Sequence, residues 1–149
     1  MTPPGKRGRW FPKGRLLTSF LAVNVRLYRL FRGRLLGPPM LLLITTGART
    51  GAERVVPLRY FKDGDDAWLV IASAGGAARH PAWYRNLAAH PDDVWIEVGG
   101  RRLRVTAESL HGADREERWR WITSTAANFA AYERSTDREL PVVRLRPAE

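Results

Sequence analysis

Two strings in the sequence hold residue types from which a binding chemistry can be built. The first is Thr45-Thr46-Gly47-Ala48-Arg49-Thr50-Gly51, followed by Arg54. Two glycines let the backbone turn tightly with its N–H groups free, and two arginines five residues apart can face one anion. Backbone donors closed by guanidinium forks suit a phosphate or a carboxylate. The Gly-Lys-Ser/Thr ending of a nucleotide phosphate loop is missing, and a glycine hairpin with a solvated arginine fits the same letters.

The second string is Ala72-Ser73-Ala74-Gly75-Gly76, then His80-Pro81-Ala82-Trp83-Tyr84-Arg85-Asn86-Leu87. Small residues at a strand end let a flat ring approach the backbone. Trp83 and Tyr84, early in a helix, can flank that ring, and the helix N-terminus favours negative charge on it. Trp83 and Leu87, four apart, fit ordinary core contacts equally well. His80 is either a proton donor or a loop residue at the surface. A third stretch carries Trp119, Ile122, Ala126 and Phe129 at helical spacing, with Trp121, Thr125 and Tyr132 beside them. Such a stripe is a core face, or its end, 128–132, walls an aromatic-lined pocket.

The rest of the composition narrows the chemistry further. The chain has 149 residues, 44% hydrophobic and 27% charged, with no cysteine. One domain with one core is the expectation, and thiolate zinc sites, iron–sulfur clusters and thiol catalysis are excluded. His80, His90 and His111 show no metal-ligand spacing. The three lysines lie outside apolar runs, against Schiff-base chemistry. Such a protein must borrow its reactive group from a cofactor.

The net charge of +10 is a property of one segment. Residues 1–36 hold nine basic side chains and no acid, so the remaining body is almost neutral. A surface that coats nucleic acid would not be charged this way, and no nucleic-acid partner is expected.

Elements that would position these residues follow from periodicity. Residues 1–14 read as a mobile, basic arm. Residues 15–32 read as an amphipathic helix with Leu16, Leu17, Phe20, Leu21, Leu27, Tyr28 and Phe31 on one face, Asn24 in the stripe, and Arg15, Ser19, Arg26 and Arg29 opposite. It is too charged for a signal peptide and too short to span a bilayer, and either packs on its own domain or rests on an anionic membrane. Gly37-Pro38-Pro39 ends it. Strands are expected at 40–46, 54–61 (with Pro57 marking an edge or bulge), 67–73, 94–98, 101–109 and 140–146. Helices are expected at 81–89 and, from the Asp114/Glu117 capping box, 114–132. About six mostly antiparallel strands joined by hairpins, with flanking helices, give an α+β fold: a small antiparallel barrel at 37–149 with helices packed on its outside, preceded by the arm and helix at 1–36.

Residues 41–61, 71–91 and 136–143 (TDRELPVV) together resemble the deazaflavin-dependent nitroreductase family of actinobacteria. The strings that carry the likeness are T-T-G-x-[RK]-[ST]-G-x-x-R and G-G-x-x-x-x-P-x-W-Y-x-N. The resemblance implies one non-covalent, reduced coenzyme F420 in an open groove of a split β-barrel. It implies that Ala48, Arg49 and Thr50 turn over the cofactor phosphate and glutamyl tail, and that Arg54, Val55, Val56, Pro57, Leu58 and Arg59 continue the groove. Ala72, Ser73 and Ala74 would lie against the ring, opposite Ala82, Trp83, Tyr84 and Asn86. Phe129 and Tyr132 match the substrate mouth. Ala74 stands where many relatives have lysine, and Phe129 where many have tyrosine.

The expected activity is hydride transfer from reduced F420 to a flat, hydrophobic quinone, with nitroaromatics as stand-ins. Ser73 and Tyr132 would make the catalytic contacts. The site would be cytoplasmic, with residues 1–36 resting peripherally on the inner face of the plasma membrane. The alternatives are an FMN oxidoreductase of the same barrel type, or a basic binding module without catalysis.

Overall fold

The computed structural model describes residues 1–10, 15–30 and 37–148, without the side chains of 15–21. The chain runs α1 (Arg15–Leu30), β1 (Met40–Thr46), β2 (Glu53–Arg59), β3 (Phe61–Lys62), β4 (Trp68–Ile71), a one-turn 3-10 segment (Ala74–Gly76), α2 (Ala82–Ala89), β5 (Trp95–Val98), β6 (Arg101–Ser109), α3 (Gly112–Thr125), α4 (Ala127–Arg134) and β7 (Val142–Pro147). The seven strands form one antiparallel sheet in the order β2-β1-β5-β6-β7-β4-β3.

The expected second strand is two strands. After Arg59 the chain bends at Tyr60, whose N–H donates to Pro39 O at 3.1 Å, and re-enters the sheet at its opposite end as β3, paired with β4. One bent segment therefore supplies both sheet edges and curls the sheet into a split barrel. The apolar pattern runs through Tyr60 unbroken, which is why the sequence reads as one strand. Pro57 does lie on an edge strand, opposite Leu42, where a missing N–H does no harm. Gly99 and Gly100, at φ +57° and +77°, turn the β5–β6 hairpin as expected.

Alternation along the strands divides the core. Leu41, Leu43, Val70, Ile96, Val105, Val143 and Leu145 fill the barrel, and Trp83, Tyr84 and Leu87 of α2 insert among them. Each side chain buried this way contributes about 1.5–3 kcal/mol. Leu69, Ile71 and Val142 point outward to meet Trp119, Ile122 and Phe129 of α3 and α4. Leu42 meets Val25 and Tyr28 of α1.

The expected helix 114–132 is broken at Ala126 (φ −131°, ψ 87°) and begins earlier, at Gly112. Thr123, Ser124 and Thr125 turn their hydroxyls back onto carbonyls of Trp119, Arg120 and Trp121, which weakens the helix just before the break. The Asp114 capping box does not form: the first turn is preceded by His111 without a side-chain cap, and Asp114 accepts instead from Arg144.

The N-terminal arm is not mobile over residues 1–10. Gly5 N–H donates to Ala78 O (2.8 Å), Arg9 N–H to Gly76 O (2.9 Å), and Thr136 Oγ1 to Arg7 O (2.6 Å). The Asp137 carboxylate accepts from the Lys6 and Arg7 amides. A Cβ on Gly8 would fall 2.1 Å from Ala78 N, so only glycine lets the strap lie this close. Residues 11–14 lie outside the described residues.

Of the stripe expected in α1, Leu16, Leu17, Phe20, Leu21 and Phe31 also lie outside the described side chains. Tyr28 is buried, but Leu27 is exposed, and the buried hydrophobic side chains described in this helix are Val25 and Tyr28. Val23, Leu27 and Leu30, at i, i+4 and i+7, form an apolar stripe facing solvent, Leu30 with 74% of its surface exposed. No described helix is long and apolar enough to cross a membrane.

Candidate cofactor and acceptor site

The loop between β1 and β2 is a closed turn. Gly47 N–H donates to Ala52 O (2.7 Å), Gly51 N–H to Gly47 O (2.9 Å), and Ala52 N–H to Thr50 Oγ1 (3.2 Å). Gly51 sits at φ +69°, where a side chain would be strained. A Cβ on Gly47 would lie 3.6 Å from Arg54 Nε, so Arg54 folds back over the loop. Arg49 and Arg54 are exposed, and neither guanidinium has a carboxylate partner among the described residues. A solvated loop with two uncommitted arginines can take an anion without first breaking an ion pair.

Asn86 shapes this loop from below. It is 6% exposed, its Oδ1 accepts from Ala48 N–H (3.0 Å), and its Nδ2 donates to Thr45 Oγ1 (3.1 Å). Asn86 is thus a brace under the 47–51 loop, and both ends of its amide are engaged by the protein. The Ala48 amide is turned inward to it.

At the end of β4 the chain makes a left-handed turn. Ala74, Gly75 and Gly76 stand at φ +45°, +62° and +83°, with Gly76 N–H donating to Ser73 O and Ala77 N–H to Ala74 O. α4 lies close against it: a Cβ on Gly76 would meet Tyr132 O at 2.9 Å and Tyr132 Cα at 3.2 Å. The backbone of Tyr132 thus lies against the turn that begins at Ser73, while its ring packs on Phe129. Ser73 and Tyr132 are both partly exposed, and neither hydroxyl bonds to a described protein group.

Other residues expected at the ring do not lie at this turn. Ala72 is fully buried in the barrel interior, with its amide bonded to Pro141 O. Trp83, 6% exposed, and Tyr84 plug the barrel with Leu87, in the core contacts that their spacing allows. Ala82 is exposed on the outer side of α2. Strand alternation splits 54–59: Val56 and Leu58 turn to the barrel interior, whereas Val55 packs under α1. Arg59 lies over the Phe61 ring at 5.0 Å, with its Nε buried and unpartnered. A strand cannot offer six consecutive side chains to one ligand. Phe129 is buried between Phe61 and Tyr132 as a core residue, supporting Tyr132 edge-on at 5.7 Å rather than forming the mouth itself.

Two residues that the sequence reading left out or misjudged stand behind the turn. Arg138 is buried, and His80, expected at the surface, is buried against it. His80 Nε2 donates to Thr2 O at 2.6 Å, which leaves Nδ1 as the acceptor facing Arg138. Burial first, and the neighbouring Arg138 and Arg85 cations next, hold the imidazole below its ordinary pKa, so it is neutral at pH 7 and no proton donor. Among the described residues no group of three acidic or imidazole side chains is placed to hold a metal ion.

A family model described as F420H(2)-dependent quinone reductase matches residues 21–147. The F420H(2)-dependent quinone reductase of Mycobacterium tuberculosis is 40% identical over 145 residues, covering 92% of this chain and 95% of its own. A solved structure described as an F420-H2 dependent reductase (FDR-A) aligns with a TM-score of 0.64 at 36% identity, over 72% of this chain and 94% of that one. A second, described as a domain-swapped dimer, aligns with a TM-score of 0.66 at 32% identity, over 87% and 99%. The matched span includes the anion loop, the left-handed turn and Arg138.

Proposed function

The chain belongs to the F420H(2)-dependent quinone reductase family, and on that premise we propose how its own residues serve the reaction. One observation carries the assignment. Among the described residues, the Arg49 and Arg54 guanidiniums and the Ser73 and Tyr132 hydroxyls, the four groups the chemistry needs, have no protein partner, while the neighbouring Asn86, Trp83 and Arg138 side chains are engaged in the fold.

These residues fit the cofactor. The Gly47–Gly51 loop with Arg49 and Arg54 holds the phosphate and acidic tail of F420, and the Ser73–Gly76 turn, free of bulky side chains, lies against its flat ring. Bound there, F420H2 supplies the hydride, so the protein needs no redox group of its own. Ser73 and Tyr132 donate hydrogen bonds toward the oxygen on which negative charge develops as a quinone is reduced. The Phe61–Phe129–Tyr132 stack keeps the Tyr132 ring in place and water away from its inner face.

A lipid-borne quinone is reached from a membrane surface. The Val23–Leu27–Leu30 stripe of α1, with exposed Arg26 beside it, supports peripheral docking on an anionic bilayer. Two experiments test the reading. The purified chain should quench F420 fluorescence on titration, with FMN unable to compete, and should oxidise F420H2 with menadione. Leu27→Glu with Leu30→Glu should abolish sedimentation with phosphatidylglycerol vesicles and leave menadione turnover in solution intact. Preference for FMN would overturn the cofactor assignment, and undiminished sedimentation the membrane one.

A further inference from the structure

Behind the left-handed turn lies a cation that neither the cofactor nor the acceptor uses. Arg138 is 5% exposed, and none of its guanidinium partners is a carboxylate. Its Nε donates to Ala77 O (2.7 Å), Nη1 to Ala72 O (2.9 Å) and Nη2 to Ser73 O (2.6 Å). Nη1 also donates to His80 Nδ1 at 3.0 Å. Burial lowers its pKa to about 10, which leaves it charged at neutral pH.

A buried cation without an acid is costly to keep, and its partners here are backbone dipoles and a neutral ring. The three carbonyls are the two that enter the turn and the one that leaves it. Between them Ala74 holds φ +45°, a conformation that an L residue leaves when nothing external secures it. One planar group with five N–H donors can bond to all three carbonyls at once, which a lysine ammonium on its flexible stem matches poorly. His80, fixed by Thr2 on its far side, holds that plane from its fourth corner.

We infer that Arg138 is a positioning residue for hydride transfer: by clamping Ala72, Ser73 and Ala77 it fixes the turn that sets the Ser73 hydroxyl against the acceptor. The inference rests on the placement of the ring at this turn. Anion binding at Arg49 and Arg54 is held separately, by Asn86, so loss of Arg138 should affect kcat far more than F420 affinity.

The test uses the full chain with F420H2 and menadione, well below each variant's melting temperature. Arg138→Lys should bind F420 within threefold of the parent while its kcat falls at least twentyfold. Arg138→Ala should lose more, and millimolar guanidinium should restore part of its kcat where methylammonium does not. Should neither variant fold, His80→Ala still removes one corner of the clamp and should lower kcat three- to fivefold at unchanged F420 affinity. A kcat within twofold of the parent in Arg138→Lys, or in His80→Ala if the arginine variants do not fold, overturns the inference. Ser73→Phe separates it from the reading beneath. If that bulky side chain leaves binding and turnover intact, the ring is not at the turn. If it abolishes turnover while Arg138→Lys is active, the ring is placed correctly and only the role of Arg138 fails.

Discussion

Asn86→Ala removes the brace under the 47–51 loop, and its cost can be worked from two hydrogen bonds and the packing lost with them. Two neutral hydrogen bonds are lost, to Ala48 N–H and from Asn86 to Thr45 Oγ1, each contributing about 1 kcal/mol net. The partners then fare differently. Ala48 belongs to an exposed loop, so water can replace Asn86 at its amide. Thr45 is 2% exposed, so its hydroxyl loses a donor that water cannot readily supply, at a further cost of about 1 kcal/mol or more. Losing the packing of a buried side chain adds to this, so the variant should be less stable by about 3–4 kcal/mol. At about 2–4 °C per kcal/mol for a chain of this length, differential scanning fluorimetry should record a fall of roughly 6–15 °C. F420 affinity should fall about five- to tenfold, because a loop without its brace must be ordered by the ligand. A melting temperature within 2 °C of the parent would show that the brace bears no strain. A lowered melting temperature with unchanged F420 affinity would show that the loop holds its shape without Asn86, and the reasoning about its role in binding would be wrong.

Three further outcomes are expected. Arg49→Ala and Arg54→Ala should each weaken F420 binding about tenfold or more at low salt, near the 1.5–3 kcal/mol of a charge-assisted hydrogen bond, with a smaller loss for an analogue lacking phosphate and tail; fluorescence titration decides. Ser73→Ala should bind F420 like the parent and turn over more slowly, since a donor to developing charge acts in the transition state; equal kcat values would reduce Ser73 to a spacer. For pH, the folded pKa of His80 lies below its unfolded 6.5, so the unfolded chain binds the proton more readily. Stability from this site is therefore complete above pH 6.5 and is lost as pH falls from there through the folded value. Thermal melts between pH 7.5 and 5 should show this loss, and His80→Gln should show less of it; identical slopes would remove His80 from the account.

What the sequence made legible was whatever lay close together along it. The glycine turn at 47–51 and the Gly99–Gly100 hairpin are read from neighbouring letters, and the structure has both turns where the sequence puts them. Trp83 and Tyr84 were harder, because an aromatic pair that plugs a barrel and one that flanks a ring have the same spacing. Their side is decided by Val70, Ile96 and Val105, far away in sequence. The role of Arg138 was not legible for the same reason: the string TDRELPVV carries the family likeness, but the partners of its arginine lie 58 to 66 residues upstream. The seating of the first ten residues was misread because glycine and cations mark mobile segments in general. Here Gly5 and Gly8 are close-approach residues.

The alanine at φ +45° has a consequence for how such a site can change over time. Its backbone penalty belongs to the Cβ atom, so nearly all of it is already incurred by a methyl group. Extending that methyl into a longer, unbranched side chain adds little further backbone cost, and position 74 is partly open to solvent. Glycine would fold more comfortably there, yet it would remove the only atom from which a side chain can grow at this turn. The turn thus combines a fixed shape with a variable tip, and the side chain at residue 74 can change while the scaffold around it, from Ser73 to Ala77, stays as it is.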